Sequence, residues 1–164
     1  MNITVFRIDD RLIHGQVVTR WIGHAGAKRI VVIDDRVAAD PTQQMLLKFA
    51  VPGGIEVDIL SKEAAVQRFR DDTRAENTLV LVRNPLEAGA LFSLGFPVCD
   101  VNVGNISNTS SSTGRKRVLD YLYLEEQDIA ALQRIREAGA AIDFRAVPTE
   151  SPKTLDDIIA RYNA

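Results

Sequence analysis

The chain has 164 residues, 46% of them hydrophobic and 26% charged, which is ordinary for a soluble globular protein and enough for one domain with its own core. A formal net charge of -2 gives no basic signature of a nucleic-acid binder, and a lone cysteine, Cys99, with two histidines leaves no intrachain disulfide and poor material for a transition-metal cage. No apolar run reaches the length of a membrane span and the N-terminus lacks a basic-then-apolar secretion pattern, so the sequence reads as a cytoplasmic protein with a single domain over 1–164.

In chain order, the pattern predicts a strand over 3–7 and a helix over 14–24, then a strand over 29–33. A helix over 41–50 follows, with Asp40 as its cap and Pro41 at its first position. The Pro52-Gly53-Gly54 turn connects it to a strand over 55–60. Ser61 caps a helix over 61–72, which leads to a strand over 78–82. A helix over 85–94 ends at Gly95, and a strand over 98–103 holds Cys99. The small polar stretch from Asn105 to Gly114 reads as a long mobile loop, a ligand or partner site in one reading and a tolerated insertion in the other. Val118-Leu119-Asp120-Tyr121-Leu122-Tyr123-Leu124 alternates apolar and polar residues, as an edge strand with one wetter face does, antiparallel in one arrangement. A helix over 125–138 closes at Gly139, and a strand over 141–146 precedes a last helix over 152–162. Runs such as Ile30-Val31-Val32-Ile33 and Leu79-Val80-Leu81-Val82 are apolar on both faces, as buried parallel strands must be. Strand and helix in alternation predict an α/β fold: a doubly wound, mostly parallel sheet flanked by helices.

The chemistry concentrates in Arg7-Ile8-Asp9-Asp10-Arg11-Leu12-Ile13-His14-Gly15-Gln16-Val17, at the end of the first strand, where open α/β sheets place their ligands. Imidazole titrates near neutrality and can attack phosphorus to form a labile phosphoramidate. The dianion then needs donors. Arg11 offers a planar fork that stays protonated, and backbone N–H groups around Gly15 and Gln16 would add the anion-friendly start of a helix. Arg7, Arg83 and Arg115 are further candidates from neighbouring strand ends. Asp9 and Asp10 would repel phosphate, so they suit holding Arg11, capping the turn or orienting the imidazole through its other N–H. Leu12 and Ile13 would anchor the loop in the core. A structural histidine at a strand–helix corner fits the same residues, and the residues alone leave both readings open. His24 reads as a helix-end histidine near the negative end of the dipole. In Asn102-Val103-Gly104-Asn105 the glycine permits a sharp turn and the asparagines offer donors and acceptors. Nucleotide-binding glycine fingerprints and a Gly-x-Ser-x-Gly nucleophile elbow are absent.

The opening motif resembles the phosphorylation site of enzyme IIB components of the mannose/fructose/sorbose family of the bacterial sugar phosphotransferase system. The resemblance runs through Pro52-Gly53-Gly54-Ile55, Asn84-Pro85, Asn102-Val103-Gly104-Asn105, Glu125-Glu126-Gln127-Asp128 and Val147-Pro148-Thr149-Glu150, essentially the whole chain. The Asn-Val-Gly-Asn form is similar to the N-acetylgalactosamine-like branch. The resemblance implies that His14, on Nδ1, accepts a phosphoryl group from the phosphohistidine of a IIA protein or domain. It then passes the group to a sugar delivered by the membrane IIC and IID subunits. Arg11 would stabilise the travelling charge, with Asp9, Asp10, Gly15, Gln16 and Asn105 shaping the phosphoryl and substrate site. No metal, nucleotide or other cofactor is implied, because phosphohistidine is itself the donor. The implied place is cytoplasmic, at the inner face of the membrane through IIC and IID. Against the family pattern, the loop from Gly104 to Gly114 is longer and rich in serine and threonine, which bears on docking.

Two other classes fit the sequence: a non-catalytic module binding an anion or sugar phosphate on the same sheet, and a phosphotransfer enzyme with a small soluble substrate. Apolar residues around Trp21 or Phe92 are candidates for a partner face, a homo-oligomer included.

Overall fold

A computed structural model describes residues 1–109 and 114–164, without the side chains of Gln16 and Val17. The expectations for 110–113 and for the Gln16 side chain therefore fall outside the described residues. The elements follow in order: β1 (Asn2–Ile8), α1 (Gly15–Ala25), β2 (Arg29–Ile33), α2 (Asp35–Ala38), α3 (Pro41–Phe49), β3 (Glu56–Leu60), α4 (Lys62–Asp71), β4 (Asn77–Val82), α5 (Pro85–Ser93), β5 (Val101–Val103), β6 (Lys116–Leu119), β7 (Leu122–Leu124), α6 (Glu126–Glu137), β8 (Ile142–Phe144), β9 (Lys153–Thr154) and α7 (Leu155–Asn163).

The main sheet has the order β3-β2-β4-β1-β5-β8-β9. All its pairings are parallel except the last, β8 with β9. Alternation along each strand explains why both faces are covered. Ile30, Val32, Leu79 and Leu81 enter one core, with Trp21, Val18 and Ala25 of α1. Their neighbours Val31, Ile33, Val80 and Val82 enter the other, with residues of α4, α5, α6 and α7. This is the doubly wound α/β fold expected from runs that are apolar at every position.

The caps do what their residue types suggest. The Asp40 carboxylate accepts from the N–H groups of Thr42 and Gln43, and Ser61 accepts from Ala64. Among the described residues, no helix is long and apolar enough to cross a membrane.

Four expectations need correction. Residues 118–124 are not an edge strand of the main sheet. Lys116–Leu119 and Leu122–Leu124 form a separate antiparallel hairpin turning at Asp120 and Tyr121, and among the described residues the Ile106–Leu122 bridge ties it to the loop after β5. The antiparallel edge is β9, two residues long, where the pattern predicts a helix start. The strand expected over 98–103 begins only at Val101, which leaves Cys99 in the preceding connection. Trp21 is also no partner face: it is buried between the sheet and two arginines, while Phe92 stacks on the core phenylalanines Phe6 and Phe96. The exposed apolar side chains of α3 are Met45, Leu46 and Phe49.

Leu81 sits 1% exposed in the α1-side core, whereas Phe49 is 81% exposed. Leu81→Ala is therefore expected to cost about 2–5 kcal/mol, and Phe49→Ser no more than about 0.5 kcal/mol. Urea unfolding of the two variants checks this; equal losses would contradict the assignment of the core.

Candidate functional site

The central strand β1 pairs with β4 on one side and β5 on the other, so its carboxyl end opens between two neighbours. The connection from α1 leaves toward β2 and that from α5 toward β5, on opposite faces, which makes this end of the sheet a topological switch point, where open α/β sheets place their ligands. The loop from Asp9 to His14 fills that end. Asp9 N–H donates to Val82 O, Asp10 N–H to Asn105 O and Leu12 N–H to Asp9 O, at 2.9, 2.9 and 3.0 Å. Leu12 adopts φ 57°, a left-handed conformation that costs a branched side chain energy. Burial of Leu12 and Ile13 holds the turn in place, as the sequence implies.

His14 is the N-cap of α1, yet its ring makes no capping hydrogen bond. Gly15 follows with φ 24°, which favours glycine. The first N–H groups of α1 have no partner inside the helix, and its first turn carries no acidic residue. The positive end of the helix therefore stays available to an anion beside the imidazole. At the other end, His24 sits in the last turn, edge-on to Trp21, as expected for a histidine on the negative end of the dipole.

One carboxylate organises the site. Asp9 is 1% exposed. It accepts from Arg11 through Nε at 3.2 Å, Nη2 at 3.2 Å and the backbone N–H at 3.1 Å, and from Arg7 Nη2 at 3.1 Å. His14 Nε2 lies 3.5 Å from Asp9 Oδ2. That is ion-pair range, but it is off the line of a hydrogen bond, and among the described residues the buried Nε2 has no other partner. The ring as a whole keeps 22% of its surface in solvent, while its Nε2 is buried. Burial by itself would raise the Asp9 pKa. The His14 ring, the Arg11 fork and the Arg7 charge outweigh it and hold the carboxyl at about 2.

The remaining predicted residues divide by task. Asp10 accepts from Asn105 Nδ2 at 2.8 Å and from Ser107 N–H and Oγ–H at 2.7 and 2.6 Å, which staples the loop after β5 to the histidine loop. Asn105 thus lies beside Asp10 and gives it an amide donor. Arg83 spans Asp34 at 2.7 Å and Asp10 O at 3.2 Å. Arg115 is buried against Asp128 at 2.9 Å and donates to Ser107 O, so it supports the loop from beneath. Arg11 alone of these cations is both in the motif and well exposed, at 41%.

Sequence reasoning gave Arg7 only as a further phosphate donor. The guanidinium is instead buried against Asp9, Asn102, the carbonyls of Arg145 and Ala146, and the face of Trp21 at 4.5 Å. Gly104 leaves room for it: an added Cβ would meet Arg7 Nη2 at 2.0 Å. The Asn102-Val103-Gly104 sequence carried that signal without naming its target.

The depressed Asp9 pKa carries a sign. A carboxylate whose folded pKa lies below its unfolded value stabilises the fold above about pH 4, and that contribution is lost as pH falls through about 2. Asp9→Asn is expected to be several kcal/mol less stable at pH 7, because two buried or half-buried arginines lose their anion. The gap to the unsubstituted protein should narrow by about 2 kcal/mol between pH 5 and pH 2. Denaturant midpoints across that range decide it; a constant gap would remove Asp9 as the organising charge.

Comparison with known proteins places the chain in a family. A family model described as the sorbose-subfamily IIB component of the phosphotransferase system matches residues 3–164. The chain is 34% identical over 149 residues to the N-acetylgalactosamine-specific phosphotransferase enzyme IIB component 2 of Escherichia coli (strain K12), covering 91% of this chain and 93% of that one. It is 32% identical over 164 residues to the mannose-specific EIIAB component of the same organism, covering 99% of this chain and 50% of that longer protein. The crystal structure of the IIB domain of the sorbose permease from Klebsiella pneumoniae superposes with a TM-score of 0.88 at 33% identity over 98% of both chains.

Proposed function

The chain belongs to the sorbose subfamily of IIB components of the sugar phosphotransferase system, which act in phosphoryl transfer during sugar uptake, and from that premise we propose that His14 Nδ1 is the phosphoryl acceptor and Arg11 its charge partner. The observation that carries the reading is the orientation of the ring: Nε2 is buried and turned in toward Asp9 while the ring keeps part of its surface in solvent at the start of α1, and Nδ1 is the nitrogen we assign to meet the donor.

The chemistry follows from that orientation. In the neutral ring with its proton on Nε2, the Nδ1 lone pair attacks phosphorus of a IIA phosphohistidine. The N–P bond of the donor breaks, and its electron pair returns to the donor imidazole. The new phosphoimidazole keeps its Nε2 proton, and Asp9 stabilises the positive character of the ring. A sugar hydroxyl next attacks phosphorus and gives its proton to water, and Nδ1 leaves with the electron pair. Throughout, Arg11 and the N–H groups opening α1 offset charge on the phosphoryl oxygens. Asp10, Asn105 and Gly15 shape the loop, and Gln16 contributes its backbone N–H at the helix start.

The IIA partner is supported by the mannose-specific EIIAB relative, whose name joins A and B in one longer protein. The sugar reaches the site through membrane IIC and IID subunits, which choose it. The chain works as a single IIB domain in the cytoplasm, held to the inner face of the membrane by those subunits.

The test is phosphorylation by phosphoenolpyruvate through the general phosphotransferase proteins and a cognate IIA, read by phosphorus NMR and mapping. One acid-labile, base-stable phosphate on His14 is expected, lost in His14→Ala and kept in His24→Ala. Arg11→Gln should slow transfer by about 10²–10³-fold, the usual effect of removing one donor to a transferring group. A folded protein left unphosphorylated by several competent IIA donors would favour an anion-binding module instead.

A further inference from the structure

Three donors converge on a single oxygen. Arg7 Nη2, Arg11 Nη2 and His14 Nε2 stand 3.1, 3.2 and 3.5 Å from Asp9 Oδ2. An ionised carboxylate oxygen serves about two donors well. Both arginines meet it with hydrogen-bond geometry, and the imidazole, which comes third, does not. The orphaned Nε2 is therefore explained by competition.

We propose that Arg7 is a positioning residue for phosphoryl transfer: by occupying Asp9 Oδ2 it keeps the His14 imidazole from forming a full ion pair, and so keeps the ring neutral and nucleophilic. The proposal rests on His14 being the acceptor.

Geometry fixes which donor wins. Arg11 is half-exposed and can swing. Arg7 cannot, because Trp21 covers its face, Gly104 lies against its edge, and the Arg145 and Ala146 carbonyls and Asn102 take its other N–H groups. A clamp for those two carbonyls alone would not need a bond to Asp9. Trp21 Nε1–H donates to the same Ala146 oxygen at 3.0 Å, so α1, which carries His14 at its start, grips the same segment. Were Arg7 absent, Oδ2 would turn to Nε2, and a strong carboxylate–imidazolium pair would favour a charged ring with no free lone pair at neutral pH.

Other charged groups face this cluster from each neighbouring element. Asp10 and Arg11 belong to the loop itself, and Arg83 follows β4. Asp143 and Arg145 come from β8 and its end, Glu150 from the next turn, and Tyr121 from the hairpin, where its hydroxyl approaches Glu150 at 3.5 Å. Among the described residues, only Asp9 reaches the imidazole at ion-pair distance.

The experiment is an NMR titration of the histidine ring protons in the unsubstituted protein, Arg7→Met and Arg7→Lys, with His24 as the internal control. Arg7→Met is expected to raise the His14 midpoint by about one unit or more, leaving His24 unmoved. Arg7→Lys keeps a charge beside Asp9 and should fall between. The pH profile of transfer from IIA should move to higher pH by the same amount. If Arg7→Met does not fold, Trp21→Phe frees the guanidinium from its indole partner and should move the His14 midpoint the same way by less, read on His14 alone because Trp21 also touches His24. A folded Arg7→Met, or failing that Trp21→Phe, whose His14 titrates like the unsubstituted protein overturns the proposal and leaves Arg7 a structural clamp. The titration needs no donor protein. Failure of every IIA to phosphorylate the chain would therefore strike the proposed function while this result still stands or falls alone.

Discussion

The structure depends on one buried anion. Asp9 sits at the carboxyl end of the central strand with almost no contact with water, and burying such a charge without partners is prohibitive. Two arginines and an imidazole from the same short run of sequence supply the partners. Their convergence fixes the turn that Leu12 strains to make, sets where α1 begins, and decides which face of the His14 ring meets solvent. The fold's contribution is to put β1 in the middle of the sheet, so that this cluster lies at the switch point of the topology and is supported from both sides.

The surrounding residues form a second ring of constraint. Asp10 reaches sideways to Asn105 and Ser107, and Arg115 holds the same loop from Asp128 on α6. Arg7 reaches the other way, to the segment after β8. The histidine loop is thereby tied to the connections after β4, β5 and β8 together. Rigidity of this kind suits a phosphoryl carrier. In the proposed role one acceptor atom meets two different partners in the same geometry, and every fixed donor lowers the cost of organising the transfer.

Much of this was legible in the sequence because its signals are local. Strands buried on both faces announce themselves as unbroken apolar runs, and β2 and β4 are such runs. Caps at Asp40 and Ser61 lie within three residues of the N–H groups they serve. The histidine motif packs its chemistry into a few consecutive positions. What stayed hidden depends on distance along the chain. The Lys116–Leu124 hairpin alternates with the same period on both sides of its turn, and Asp120-Tyr121 carries no glycine to mark it, so it reads as one strand. The edge strand β9 is too short to show a period. Arg7 looks like one more basic residue until β5 brings Asn102 and Gly104 against it, and nothing near Trp21 in sequence says that two arginines will cover it.

The central claim is that the His14 ring turns Nε2 in toward Asp9 and offers Nδ1 to the phosphoryl donor. Long-range nitrogen–proton NMR correlation of the neutral His14 ring tests it most directly, because the two tautomers give distinct nitrogen shifts. The account predicts the proton on Nε2 and the lone pair on Nδ1. A ring protonated on Nδ1, with the lone pair turned in toward Asp9, would contradict it.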